Sequence, residues 1–287
     1  MILLSRTVRF SVNDAAASLH ATTPTPTDNT FAAFPSMLGI GRHYELDIRC
    51  RGEISPDTGY FLNIKEIDRA VRATAIPAIA RDAHREPGNF YGTLRDALPA
   101  LNKELAGSIA SVRWHLSPYH SIEMSPPSSS KTENIPTDTV ALLRHQFEFA
   151  AAHRLHIPSI SDEANRELFG KCNNVRGHGH NYRVEPCVEV RVAAHGGEIP
   201  AFTLGDLERI TSEQVVQRFD HTHLNEDTAE FGSGPGGLNP SVENIVRICF
   251  DLLAPAIAAA GATLRSVTVW ETDKTSCTYP AGPSNPL

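Results

Sequence analysis

Eight of the 13 histidines of this 287-residue chain lie between His145 and His223, little more than a quarter of its length. Such clustering suits a metal site. His178 and His180 flank Gly179, and in an extended strand a period of two turns both imidazoles to one side. A third ring from His153 would complete three neutral nitrogen ligands at roughly 2.0–2.1 Å, a set that suits Zn²⁺ and leaves its fourth tetrahedral position open. The competing reading is a glycine-punctuated turn whose imidazoles are only hydrogen-bonded.

Three further groups could move protons or hold a substrate. Cys172 sits in Gly170-Lys171-Cys172-Asn173-Asn174, six positions before His178. A nearby cation and Lys171 would favour its thiolate, whereas a sulfur bound to the metal would close the site into a structural one. In Asp220-His221 a carboxylate can orient an imidazole and raise its pKa. Neighbours in sequence rarely face each other, and Asp220 could instead cap a turn. Glu271 follows Trp270 at the end of an apolar run, where a carboxylate is either exposed in a hairpin turn or committed to a bound partner. It can accept two parallel N–H bonds, as an aminopyrimidinone edge would offer. His223, Glu226 and Asp227 read as a solvated loop. Cys50, Cys187, Cys249 and Cys277 read as small core hydrophobes.

The elements that must position these groups follow from hydrophobic periodicity. Arg144–His153 and His180–Ala194 read as strands, with Val188, Val190 and Val192 sharing one face. Leu204–Phe219 has helical spacing, and Ser241 opens a second helix whose stripe includes Val242, Ile245, Val246, Cys249 and Leu253, with Pro255 set to kink its end. Leu264–Glu271 and Ser276–Tyr279 form a hairpin through Thr272–Thr275. The first half repeats the order ββααββ: strands at Leu4–Val12 and His43–Arg51, a helix after Asn63 with Glu66 set for a capping box, a helix from about Thr93, and strands at Ile109–Leu116 and Tyr119–Met124. Gly39-Ile40-Gly41-Arg42-His43-Tyr44 aligns with Gly177-His178-Gly179-His180-Asn181-Tyr182, and Ser111–Leu116 aligns with Ser266–Glu271. This repetition predicts an internal duplication: residues 1–124, a Pro- and Ser-rich linker over 125–138, and residues 139–287.

Composition narrows the classes. The chain carries 26 Lys and Arg against 33 Asp and Glu, for a net charge of -7, so no global positive field recommends nucleic acid or an anionic membrane. The five cysteines are scattered without CxxC spacing, as reduced cytoplasmic thiols would be. Met1–Arg6 has only a short apolar run, and the uncharged stretch between Asp251 and Arg265 is broken by Pro255. Neither predicts export or a membrane span.

Six blocks in order carry a resemblance: Phe149–Leu155, Leu168–Asn174, Gly177–Tyr182, Phe219-Asp220-His221, Pro240–Asn244 and Trp270–Asp273. Together they resemble the 6-pyruvoyl-tetrahydropterin synthase family over roughly residues 143–280, and the spacing Cys-x5-His-Gly-His resembles its pyruvoyl-forming branch. The related 6-carboxytetrahydropterin synthases of queuosine-precursor synthesis have a shorter spacing. The resemblance implies an α+β chain of two tandem T-fold units, each an antiparallel four-stranded sheet with two helices on one face. It implies one Zn²⁺ per chain held by His153, His178 and His180, proton transfer by Cys172, Asp220 and His221, and a pterin anchored by Glu271, with Ser241 and Glu243 as further binding residues. The implied reaction turns 7,8-dihydroneopterin triphosphate into 6-pyruvoyltetrahydropterin and triphosphate, without redox cofactor. Family members are hexamers of single units, so three double-length chains would reproduce the particle.

The first half departs from that pattern. Ile40 and Arg42 stand where His178 and His180 would, the His153 position falls near Asp14, and Leu116 replaces Glu271; the loop matching that of Cys172 is Thr22–Asp28. That half should bind neither zinc nor pterin. Lys65, Arg69 and Arg72 are ordinary helix-surface charges by this reading. A non-catalytic pterin-binding scaffold is the alternative of another class.

Overall fold

A computed structural model describes residues 1–13, 31–85, 88–126, 139–193, 199–232 and 237–282. Asp14, the Thr22–Asp28 loop and all of the expected linker except Ser125 and Pro126 lie outside these. The chain is α+β and divides into two compact units, Met1–Leu143 with Val190–Pro200, and Arg144–Glu189 with Ala201–Leu287.

In the first unit, strands β1 (Ile2–Asn13), β2 (Gly41–Gly52), β3 (Ile109–Ser117) and β4 (His120–Met124) pair antiparallel in that order. Alternation explains the arrangement. Val8, Phe10, Val12, Leu46, Ile48, Val112 and Trp114 are buried, each worth roughly 1.5–3 kcal/mol for the larger side chains, while the intervening residues face the other way. On that other face Arg9 bonds Glu45 at 2.7 Å, Thr7 Oγ1 and His115 Nε2 meet Asp47 at 2.5 and 2.8 Å, and Arg113 bonds Glu123 at 3.0 Å. Helices α1 (Ile64–Ala73), α2 (Ala75–Asp82) and α3 (Phe90–Glu104) bury Ile67, Val71, Ile79, Leu94, Leu98 and Leu101.

Among the described residues three helices form in this unit where two were expected. Pro77 has no N–H for the carbonyl of Ala73 and its ring crowds that carbonyl, so the helix breaks at Thr74 and restarts with proline in its first turn. Asn63 caps α1 by accepting the Lys65 N–H at 3.0 Å rather than through a capping box with Glu66. A capping box occurs instead in the second unit, between Thr203 and Asp206.

The strand expected at Arg144–His153 is interrupted at Gln146, giving β5 (Thr139–His145), which crosses the unit boundary after Leu143, and β6 (Phe147–His153) in the second unit. β6 pairs antiparallel with β7 (His178–Val192), β7 with β9 (Thr263–Thr272), and β9 with β10 (Thr275–Tyr279). The two-residue strand β8 (Thr222–His223) joins β6 in parallel. Helix α4 (Asp162–Phe169), capped by the Ser161 side chain, adds an element the periodicity did not suggest, because among the described residues Asn165 is its one buried member. Helix α5 (Leu204–Thr211) passes through a π turn at Ser212–Val216 before the final turn Gln217–Phe219. Helix α6 (Val242–Ala259) starts at the Ser241 cap and continues through Pro255. It packs on β9 and β10, burying Ile245, Val246, Cys249, Leu253 and Ile257 over Val267 and Val269. Cys50, Cys187 and Cys249 are buried and Cys277 is half-buried. Among the described residues no helix is long and apolar enough to cross a membrane.

Candidate metal centre and active site

His153 ends β6 and His178 opens β7, and the two stand opposite each other in the antiparallel ladder. His180, two residues along β7, stands opposite Ala151. The ladder thus delivers three imidazoles from two adjacent strand ends to one point. Their ligand atoms lie within 4.8 Å of one another, and His153 Nε2 is 3.1 Å from His178 Nε2. His153 Nδ1 lies 2.7 Å from the carbonyl of Pro240. A carbonyl only accepts, so the ring proton sits on Nδ1 and the Nε2 lone pair faces the cluster, the arrangement a metal-binding histidine requires.

The site passes the further tests of fit. His178 Nδ1 and His180 Nε2 are buried without a hydrogen-bond partner, a cost that a bound cation would remove for His180 Nε2. Burial pushes His153 down to about 4, helped by the neighbouring His178 and His180, and burial with His180 lowers His178. Neutral imidazoles are the form that binds metal. Three imidazole nitrogens with no sulfur suit a first-row transition metal, zinc among them. Among the described residues this cluster has three members, and the sulfur of Cys172 is not one of them.

Glu271, near the end of β9, brings Oε1 to 3.5 Å from His153 Nε2 and 3.7 Å from His180 Nε2. It is part of the site rather than an exposed turn residue. Tyr182 lies beneath, fully buried with its hydroxyl 3.4 Å from His153 Nδ1. Burial raises its pKa, and the charges of Glu271 and Cys172 act in the same direction. Cys172 therefore stands within electrostatic reach of the ring that backs the histidines. Its 3₁₀ turn, Gly170–Asn173, is tied to the chain leaving His153 by the Leu155 N–H on the Cys172 carbonyl at 2.9 Å.

Asp220 and His221 do face each other, at 2.8 Å from Oδ2 to Nδ1. Here the expectation for adjacent residues fails for a definite reason. His221 adopts a left-handed φ of 57°, which folds its ring back over its neighbour. Asp220 Oδ1 accepts the Ala150 N–H at 2.8 Å while the His221 N–H bonds the Ala150 carbonyl at 2.6 Å, anchoring the pair to β6. The Ala150 N–H and the His221 ring hold Asp220 below the usual carboxylate range. The His221 side chain is 84% exposed, free to meet a substrate. A groove of about 730 Å³ lined by Ala150–Ala152, His180, His221 and His223 connects the pair with a metal-site histidine.

His223 is not the solvated loop residue expected. It is half-buried, and its Nε2 packs against Gly177. Gly177 has φ 70°, and a β-carbon there would come within 2.8 Å of the His153 carbonyl; this position needs glycine. Sequence reading also missed a belt of asparagines behind the site. Asn225 bonds the N–H and carbonyl of Arg154, Asn239 accepts the His156 N–H, Asn173 donates to the Leu155 carbonyl, and Asn165 bonds both sides of Ile157. Asparagines scattered over many residues carry no periodic signal. Ser241 is the cap of α6, accepting from the Asn244 N–H, and Glu243 lies in its first turn. From this segment the group that touches the histidines is the Pro240 carbonyl.

Residues 142–281 match the model of a family described as 6-pyruvoyl tetrahydropterin synthase. The 6-pyruvoyl tetrahydrobiopterin synthase of Poecilia reticulata is 33% identical over 146 residues, covering 51% of this chain and 94% of its own length. A provisionally named 6-carboxy-5,6,7,8-tetrahydropterin synthase of Archaeoglobus fulgidus is 37% identical over 103 residues, 36% of this chain and 73% of its own. A solved structure of Caenorhabditis elegans 6-pyruvoyl tetrahydropterin synthase, 32% identical, matches over 50% of this chain and 96% of that one, with a TM-score of 0.43.

Proposed function

The chain belongs to the 6-pyruvoyl tetrahydropterin synthase family, and from that premise we propose that it is a zinc-dependent lyase converting 7,8-dihydroneopterin triphosphate to 6-pyruvoyltetrahydropterin with release of triphosphate. The observation that carries this reading is the convergence of His153, His178 and His180, backed by the Pro240 carbonyl and neighboured by Glu271. His153, His178 and His180 would hold one Zn²⁺ per chain. When bound, the ion would supply positive charge that stabilises oxyanion and enolate character in the substrate side chain and acidifies its adjacent C–H bonds.

The other steps belong to the protein's own groups. The Glu271 carboxylate would accept the paired N–H groups of the pterin ring. Cys172, as thiolate, would take a proton from the side chain. His221, held by Asp220 with Nδ1 toward the carboxylate, leaves Nε2 to return or relay it. Ser241 and Glu243 are weaker candidates for holding the ring.

The same proposal divides the chain into residues 1–124, a degenerate T-fold unit without metal, a linker over 125–138, and a catalytic T-fold unit over 139–287. The expected assembly is a homo-oligomer, a trimer of double units or larger, working in the cytoplasm without nucleic acid or membrane. A second reading, 6-carboxytetrahydropterin synthase acting on the same substrate, is favoured by the Archaeoglobus relative. Mass spectrometry of the products formed from 7,8-dihydroneopterin triphosphate separates the two: 6-pyruvoyltetrahydropterin with triphosphate supports the first, 6-carboxytetrahydropterin with acetaldehyde the second. No turnover of either kind overturns both.

A further inference from the structure

We propose that Asn173 is a positioning residue for Cys172: its side chain fixes the short turn carrying the thiol to the chain that leaves His153, and so sets where the sulfur stands relative to the histidines. The inference rests on the lyase reading above, in which Cys172 takes a proton from the substrate, and deepens it.

The turn has little of its own to hold that position. Gly170–Asn173 is a single 3₁₀ turn, a form with poorer hydrogen-bond geometry than an α-helix. Gly170 and Lys171 are exposed and Cys172 is half-buried. Asn173 is the one buried member, 7% exposed, and its polar atoms are committed to three consecutive residues. Its Nδ2 donates to the Leu155 carbonyl at 2.7 Å and lies 3.2 Å from His156 Nδ1. Its backbone carbonyl accepts from Arg154 Nε at 3.1 Å, and its Oδ1 accepts from Arg154 Nη2 at 3.4 Å. One residue earlier, the Cys172 carbonyl accepts the Leu155 N–H at 2.9 Å. Cys172 and Asn173 therefore grip both backbone groups of Leu155, two residues past His153.

The other side of this contact is held independently. Asn225 bonds the N–H and carbonyl of Arg154, and Asn239 accepts the His156 N–H. Loss of the Asn173 amide would release the turn and leave the strand end and its histidines in place. A thiol displaced by about 1 Å from the proton it must take costs roughly 10²-fold in rate. Groups that hold the substrate elsewhere are untouched, so the effect belongs in kcat rather than KM.

The test uses the full chain loaded with Zn²⁺, comparing wild type with Asn173→Ala and with the isosteric Asn173→Asp, which keeps the size and the Oδ1 acceptor but has no Nδ2 donor. Each is also made in a Cys172→Ala background. With 7,8-dihydroneopterin triphosphate, kcat should fall roughly 10–100-fold in both variants, with KM within about threefold of wild type and bound zinc unchanged. Alkylation of Cys172 by iodoacetamide, read by peptide mass spectrometry, should become about five- to tenfold faster as the turn is released. In the Cys172→Ala background, replacing Asn173 should change turnover by less than about twofold, because its effect passes through the thiol. An equal further loss in that background, or loss of zinc from the Asn173 variants, would overturn the positioning role. So would wild-type kcat and alkylation rate in both variants, with the lyase reading left standing. A wild-type chain that turns over no pterin triphosphate would overturn the lyase reading and this inference with it.

Discussion

In the first unit Phe10 stands opposite Tyr44 and Leu46 opposite Trp114; in the second, Phe149 stands opposite Tyr182 and Val184 opposite Val269. The same aromatic pair stacks or tilts in both, with ring centroids 5.8 Å apart in one and 5.0 Å in the other. Stepping two residues toward the strand ends, Val12 faces Arg42 where Ala151 faces His180. One strand across, Leu116 occupies the register of Glu271. The two ladders are therefore equivalent frames with different side chains at a few end positions. A backbone that can carry a metal site does not make one. Ile40, in the place of His178, is 93% exposed, and nothing about that position favours a buried charge. The first unit instead spends its polar residues on the sheet face, where Thr7, Asp47 and His115 bond in a row.

That contrast can be broken or sharpened by substitution. The largest effect is expected from His180→Ala, which should eliminate both bound metal and turnover while the chain remains folded; metal analysis showing one retained ion per chain would remove the site from the second unit. Cys172→Ala should lower turnover by roughly 10²–10⁴-fold with metal content unchanged, and loss of metal instead would mean that the thiol is a ligand. Gly177→Ala should destabilise by roughly 1–3 kcal/mol, because the new β-carbon meets the His153 carbonyl. Thermal melting would measure the loss, and Zn²⁺ affinity should fall with it.

Smaller effects belong to the first unit. Asp47→Asn should cost about 1–2 kcal/mol and leave product formation untouched. Burial alone would raise Asp47, but the His115 and Thr7 hydrogen bonds outweigh it and hold the carboxyl below its ordinary value. A depressed folded pKa means that the contribution is complete above the unfolded value of about 4 and is lost as pH falls through the folded value. Acid unfolding curves of wild type and Asp47→Asn should accordingly begin to approach each other as pH falls below about 4 and meet only below the depressed folded value. The smallest effect is expected from Ile40→His combined with Arg42→His and Leu116→Glu. Metal should stay at one per chain, since the position of His153 falls near Asp14 in the sequence alignment and a histidine at the exposed position 40 has no burial to orient it. A second bound ion would show that register alone suffices.

Much of both units was legible before any coordinates. Strands and the two long helices of the second unit come from apolar period, and their ends fall within a few residues of where the pattern stops. The breaks were not legible. Gln146 interrupts a strand whose apolar alternation continues, and the π turn at Ser212–Val216 leaves no mark on a helical stripe. Within the site, His178-Gly179-His180 announces itself because its geometry is local. The Asn225 and Asn239 contacts with Arg154 and His156 do not, since an amide side chain that bonds backbone looks in sequence like any surface polar residue.

By itself the sequence determined which faces of the strands are apolar, which residue types are available as ligands, and that Ile40, Arg42 and Leu116 stand where the other half has His178, His180 and Glu271, because these depend on composition and on the intrinsic periods of strand and helix. Only the tertiary structure decided that Glu271 reaches His153 and His180, that the Pro240 carbonyl sets the His153 tautomer, and that His221 turns back onto Asp220. Those facts depend on strand register and on one left-handed residue, which bring together groups far apart in the chain and which no spacing encodes.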